Sequence, residues 1–201
     1  MKPQEFIREN RITNGQVIVI VGGAGSGKTQ VSEWLGVGLA HQDPNQSVCF
    51  VNPELPFSQW QSRMRHLKAP SNLVLASSTP RSLLSRYRCH MVFDNPLLCP
   101  TAQKDPKDFM EHVKSHCKSS NTVTVVTAQL PRKQCEKLDL EKWLSPEELP
   151  EWMRAHTDTL FFTHRDEGDY QLFSGMHGGS VSPVVNRYGV AIGNNGIVVT
   201  P

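Results

Sequence analysis

Residues 16–29 read QVIVIVGGAGSGKT, and this stretch decides the fold. Its first part, Gln16–Val21, is an unbroken apolar run with β-branched residues, as expected of a strand buried on both faces. Its second part, Gly22-Gly23-Ala24-Gly25-Ser26-Gly27-Lys28-Thr29, matches GxxxxGK[ST] in full, directly after the strand and before a helix. Each position has a chemical reason. Glycines let the backbone curl until its N–H groups converge on phosphate oxygens, and the helix N-terminus adds partial positive charge. Lys28 reaches the β- and γ-phosphates of a nucleoside triphosphate, and Thr29 offers a hydroxyl to Mg²⁺. The expected ligands are ATP and Mg²⁺, with Gly22 through Gln30 as the nucleotide-binding run. A glycine-rich turn that binds nothing would not need the whole motif and both flanks.

Working outward, strands and helices alternate, which predicts an α/β fold with a mostly parallel sheet flanked by helices. Helix is expected from Lys28 to about Ala40, although Gly36 and Gly38 weaken it. Strands are expected at Ser47–Val51, Leu73–Ala76, Cys89–Phe93, Asn121–Thr127 and Thr157–Thr163. Helices are expected over Pro56–Leu67, from Thr79-Pro80 to Tyr87, and from Asp105-Pro106 to Lys118, the last two opened by a capping residue and a first-turn proline. Ser145-Pro146-Glu147-Glu148 reads as a capping box. The C-terminal part reads as antiparallel hairpins built from Tyr170–Ser174, Val181–Val185, Gly189–Ile192 and Gly196–Val199. Residues 1–14 read as an arm or leading helix outside the core, and 15–201 as one domain.

A phosphate loop needs a carboxylate at the tip of another strand to hold Mg²⁺. Asp94, after Met91-Val92-Phe93, is the candidate, since no other apolar run before Thr127 ends in a carboxylate. Its plainer reading is an N-cap or turn residue before Asn95-Pro96. Because Asn95 is not acidic, the group that orients the attacking water must come from elsewhere. Glu54, in Val51-Asn52-Pro53-Glu54-Leu55 ahead of a helix carrying Trp60 and Arg63, supplies it; the competing reading is a helix cap.

The segment CFVNPELPFSQWQSRM, residues 49–64, resembles the strand, Glu-containing turn and helix of the RecA and DnaB-helicase group. VTVVTAQLP, residues 123–131, resembles their sensor strand, which implies that Gln129 feels the γ-phosphate. Residues 155–167 resemble the strand and Arg-acidic turn of DnaB-type helicases. The same order of parts occurs in the packaging NTPases of cystoviruses. The resemblance spans roughly residues 15–185 and implies a RecA-like P-loop NTPase core working as a ring-shaped motor, a hexameric helicase or a viral genome-packaging ATPase. It implies that the loop after Gln129, with Arg132, Lys133 and Lys137, grips single-stranded nucleic acid, RNA or DNA, and that Lys104 and Lys107 assist. The plain alternative for these charges is solvated surface. The sequence departs from the DnaB pattern at residues 172–180, LFSGMHGGS, which carry neither lysine nor arginine. An arginine acting on a neighbour's site must come from elsewhere, with Arg165 and Arg187 as candidates, or be missing.

Three other readings compete. A double-stranded DNA packaging ATPase of the FtsK/HerA type is echoed by Thr127-Ala128-Gln129-Leu130-Pro131 but opposed by Asn95. A non-motor, ATP-gated nucleic-acid-binding accessory protein fits the missing finger. A small-molecule kinase would use Arg81, Arg86 and Arg88 as a lid, but leaves the hairpins without a place.

The 201 residues carry a net charge of only +2, which announces no nucleic-acid binder. No apolar run reaches the ~18 residues of a membrane span, and the start lacks a signal peptide's apolar core. The expected compartment is the cytoplasm, or the host cytoplasm or virion for a viral chain. The 5 cysteines are odd in number, widely spaced and without CxxC, which argues against a disulfide framework. His112, His116 and Cys117 have the spacing for a metal, but read better as a solvated helix face.

Overall fold

The computed structural model describes residues 1–76, 80–139, 148–166, 169–177, 180–181, 187–193 and 196–200. Six parallel strands form its centre: β1 (Val17–Gly22), β2 (Val48–Val51), β3 (Leu73–Leu75), β4 (His90–Phe93), β5 (Thr124–Gln129) and β6 (Thr159–Asp166). They run in the order β3-β2-β4-β5-β1-β6. Beyond β6 the sheet turns antiparallel through β7 (Asp169–His177), β9 (Arg187–Gly193) and β10 (Gly196–Thr200), with the short β8 (Ser180–Val181) paired to β7. The expected α/β architecture, a mostly parallel sheet with C-terminal antiparallel hairpins, is what the chain adopts.

Strand β1 explains the two-sided core. Val17, Val19 and Val21 point into one apolar layer, and Ile18 and Ile20 into the other. The first layer is closed by α4 (Pro80–Arg86), α6 (Pro106–Ser120) and α8 (Glu151–Ala155); the second by α1 (Pro3–Glu9), α2 (Lys28–Gln42) and α3 (Phe57–His66). Sandwiching leaves β1 fully buried, so its sequence is a continuous apolar run rather than an alternation. Helix α6 starts as its sequence dictates: Asp105 Oδ1 accepts the Asp108 N–H at 2.9 Å, Pro106 takes the first position, and the helix ends on Asn121 at φ 52°. The cap at Thr79, the first three residues of the box at Ser145 and most of the piece Val181–Val185 lie outside the described residues.

Three expectations are corrected. Residues 1–14 do not stand outside the core. Helix α1 buries Phe6 and Ile7, and Phe6 meets Trp34, Phe161 and Tyr188 with ring centroids 5.0–5.3 Å apart. Gly38, read as a weak point of α2, is the contact that admits α1. A Cβ there would sit 2.7 Å from Pro3 Cβ and 2.8 Å from Ile7 Cδ1. The segment after β5 is not a loop but α7 (Arg132–Asp139). Nor is the face bearing His116 and Cys117 solvated, because α6 packs on the sheet. His116 is buried near the carbonyls of Leu84 and Cys89, and Cys117 donates to Thr124 Oγ1; only His112 is exposed. Between β4 and α6 the chain adds a short 3-10 turn, Pro96–Leu98, and α5 (Pro100–Lys104).

Candidate functional site

Parallel strands deliver the ends of β1, β2, β4, β5 and β6 to one edge of the sheet, and the candidate residues sit there. The loop leaves β1 at Gly22, passes Gly25 at φ 70° and enters α2 through Gly27 at φ 88°, conformations that side chains resist. It is fastened from the β6 side: Ser26 Oγ and Thr163 Oγ1 are 2.8 Å apart, and Thr163 Oγ1 donates to Val21 O at 3.3 Å. At Gly22 the fit is so close that any Cβ would overlap Thr163 and Ser26.

Lys28 folds back on its own loop, donating to Gly23 O at 2.5 Å. Burial holds its ammonium below the usual lysine range, against the opposing pull of Asp94, Cys135 and Glu54. Asp94 is buried. Thr127 Oγ1 donates to its Oδ1 at 2.7 Å, and Asn52 Nδ2 donates to its Oδ2 at 2.5 Å. Burial pushes its carboxyl up, while hydrogen bonds from Thr127 and Thr29 and the charge of Lys28 pull it down. Thr29 and Asp94 therefore lie within reach of each other, a hydroxyl and a carboxylate beside the phosphate loop. This all-oxygen pair suits a hard divalent cation such as Mg²⁺.

Glu54 is exposed, in the turn after β2. Its backbone N–H and that of Leu55 both donate to Asn52 Oδ1, at 2.7 and 2.9 Å, and Asn95 Nδ2 donates to its Oε2 at 3.4 Å. A cavity of about 320 Å³ runs from Lys28 and Thr29 to Glu54, lined by residues 25–30 of the loop and by Asn52, Glu54, Leu55, Gln59 and Arg63. Arg63 comes from α3 and is held by the buried Glu33 of α2, with Nη1 to Oε1 at 3.1 Å. Sequence reasoning missed Asn52 and Glu33 and gave Arg63 no role. Asn52 precedes Glu54 by two, the spacing of an Asx turn, and that signal was available. Nothing local marks Glu33 as a partner of Arg63.

The remaining candidates spread along the same edge. Gln129 ends β5 in register with Gly22, exposed, while the next N–H, that of Leu130, donates to Gly22 O at 3.0 Å. Arg132 and Lys133 open α7 in solvent, Arg132 pairing with Glu136 at 3.1 Å. Lys104 ends α5, and Lys107 lies 3.9 Å from Glu151. Arg165 lies on the β6–β7 hairpin with its guanidinium 5.2 Å from the Tyr170 ring centre, which is not in the cavity lining. The Arg187 side chain lies outside the described residues. Among the described residues no cluster of three or more His, Cys, Asp or Glu is arranged to hold a metal, and no helix is long and apolar enough to cross a membrane.

No protein-family model matches the chain, and no curated protein matches it in sequence. Solved structures do. The chain is similar to the flagellar accessory protein FlaH from Methanocaldococcus jannaschii, with TM-score 0.70 and 15% identity over 100% of this chain and 97% of that one. It is also similar to a KaiC-like protein from Pyrococcus horikoshii OT3, with TM-score 0.66 and 15% identity over 94% and 91%. At this identity the likeness speaks for the fold alone, a RecA-like α/β core with a mostly parallel sheet and C-terminal antiparallel hairpins.

Proposed function

We propose that this protein is a Mg²⁺-dependent ATP phosphohydrolase that uses nucleotide turnover to work on a nucleic acid. The observation carrying the hydrolase reading is that Lys28, Thr29 and Glu54 line one open cavity at the strand tips, with Asp94 buried behind it within hydrogen-bonding reach of Thr29. Backbone N–H groups of the loop and the α2 N-terminus receive the phosphates. Lys28, now tied to Gly23 O, exchanges that carbonyl for phosphate oxygens. Thr29 and Asp94 would hold Mg²⁺, which when bound supplies Lewis-acid neutralisation of the phosphate charge. Glu54, exposed at the cavity mouth, accepts a hydrogen bond from the attacking water and orients it in line with the γ-phosphate. Gln129, at the tip beside Gly22, is the candidate reporter of phosphate state.

The partner reading is single-stranded nucleic acid bound by a ring, a hexamer in the helicase or packaging manner. Its support is the exposed Arg132, Lys133 and Lys104 on the elements that follow Gln129 and Asp94. Arg165 remains the candidate for acting across subunits. The test is ATP hydrolysis with and without single-stranded DNA and RNA, with Glu54→Gln alongside and mass followed by light scattering. Polymer-stimulated turnover by an oligomer, lost in Glu54→Gln, is expected. A monomer that binds ATP and ignores both polymers overturns the motor reading and leaves an ATP-gated accessory module.

A further inference from the structure

Asp94 and Glu54 are joined by a closed ring of hydrogen bonds across the tips of β2, β4 and β5. Asn52 uses both ends of its amide. Its Oδ1 takes the N–H groups of Glu54 and Leu55, and its Nδ2 donates to Asp94 Oδ2 at 2.5 Å. Thr127 Oγ1 donates to Asp94 Oδ1 at 2.7 Å and accepts the Asn95 N–H at 2.8 Å. Asn95 Nδ2 then reaches Glu54 Oε2 at 3.4 Å and closes the ring. That last bond is the longest of the ring and so the weakest. The ring also explains why position 95 carries an amide. A carboxylate there would face Glu54 as a like charge, whereas the amide donates to it.

We propose that Asn52 and Asn95 are positioning residues, Asn52 locking the Glu54 turn onto Asp94 and Asn95 aiming the Glu54 carboxylate at the water. This rests on the reading of Glu54 as the water-orienting base. The competing explanation for Asn95 is backbone alone, since its φ is 51° and asparagine tolerates that region. Glycine separates the two. Asn95→Gly suits the backbone and keeps the N–H to Thr127 but removes the amide. Asn95→Asp keeps the shape and replaces a donor by a like charge.

The experiment measures kcat and KM for Mg²⁺-ATP hydrolysis, equilibrium affinity for a fluorescent ATP analogue, and residual single-turnover rates in a Glu54→Gln background. Asn95→Gly and Asn95→Asp are expected to lower kcat by about 10- to 100-fold, the scale of a misplaced reacting group, with analogue affinity unchanged. In the Glu54→Gln background Asn95→Gly adds no further loss, because no carboxylate remains to aim. Asn52→Ser, whose hydroxyl accepts the same N–H groups, keeps more of kcat than Asn52→Ala. If Glu54→Gln is inert and Asn95→Gly turns over like the wild type, the positioning role is wrong and the base stands. The role is equally overturned if Asn95→Gly slows both backgrounds by the same factor. Wild-type turnover by Glu54→Gln removes the base itself and the proposal with it.

Discussion

Arg63→Met isolates the charge held between α2 and α3 beside the cavity. Methionine keeps most of the aliphatic stem and removes the guanidinium 3.1 Å from Glu33. Glu33 is almost completely buried, and burial pushes its carboxyl up to about 7 from an ordinary 4.5, although the Arg63 charge and hydrogen bond pull it down. The sign follows from proton counting. Between pH 4.5 and 7 the unfolded chain has released the Glu33 proton while the folded chain keeps it, so stability falls as pH rises through that window, by about 1.4 kcal/mol per unit. Above pH 7 both states are ionised and the wild-type slope from this group vanishes. Without Arg63 the folded carboxyl holds its proton to higher pH, and the slope continues. Protonation is always available as an exit, so it caps the penalty. The deficit of Arg63→Met that Glu33 causes is near zero at pH 6, at most about 1.4 kcal/mol at pH 8 and at most about 3 kcal/mol at pH 9. Urea unfolding followed by tryptophan fluorescence at those three pH values, without nucleotide, measures it. A deficit equal at pH 6 and pH 9 refutes the reasoning. So does a loss of about 3–5 kcal/mol already at pH 6, the cost of a buried carboxylate left charged and unpaired.

Two further outcomes test the packing around the site. Phe6→Ala removes a fully buried ring that touches three others and should cost about 3–5 kcal/mol in urea unfolding; a change under ~1 kcal/mol would mean that α1 is not part of the core. Gly22→Ala drives a methyl group into the Thr163 carbonyl and hydroxyl, which cannot both withdraw without parting β1 from β6, so about 1–3 kcal/mol of stability and most nucleotide affinity should be lost together; loss of neither would contradict the close approach.

The parallel half of the fold was legible because its signals are local. A strand buried on both faces must be apolar throughout, and Val17–Gly22 is. Asp105-Pro106 announces a helix start that needs no knowledge of the rest of the chain. The packing of α1 into the core is not legible because its evidence is distant. Only two of its seven residues, Phe6 and Ile7, are buried apolar side chains, too few to show a period. What fixes it is Gly38 and the rings of Trp34, Phe161 and Tyr188, far along the sequence. Helix α7 was misread for a related reason. Its sequence RKQCEKLD looks like solvent-facing loop, and its anchor is Cys135 packed beside Gly23 of the phosphate loop.

The site divides along the same line. Lys28 and Thr29 belong to a run whose spacing is itself the chemistry, so eight consecutive residues suffice to recognise it. Asp94 and Glu54 are each a carboxylate after an apolar strand, and a turn residue at either place would look identical in sequence. What distinguishes them is mutual. Thr127 and Asn52 satisfy the oxygens of Asp94, and Asn52 and Asn95 hold Glu54, through partners between 2 and 42 positions apart. A buried carboxylate needs such partners, and a parallel sheet supplies them because neighbouring strand tips meet whatever their order in the chain. An arginine acting from a second subunit, the role proposed for Arg165, would lie one step further out. Its distance to the cavity would be a property of the proposed assembly, so the role of Arg165 is tested by mixing Arg165→Ala subunits with Lys28→Ala subunits. If Arg165 acts across the interface, the mixture contains interfaces with both defects removed and regains activity that neither variant has alone. If it acts only within its own chain, mixing restores nothing.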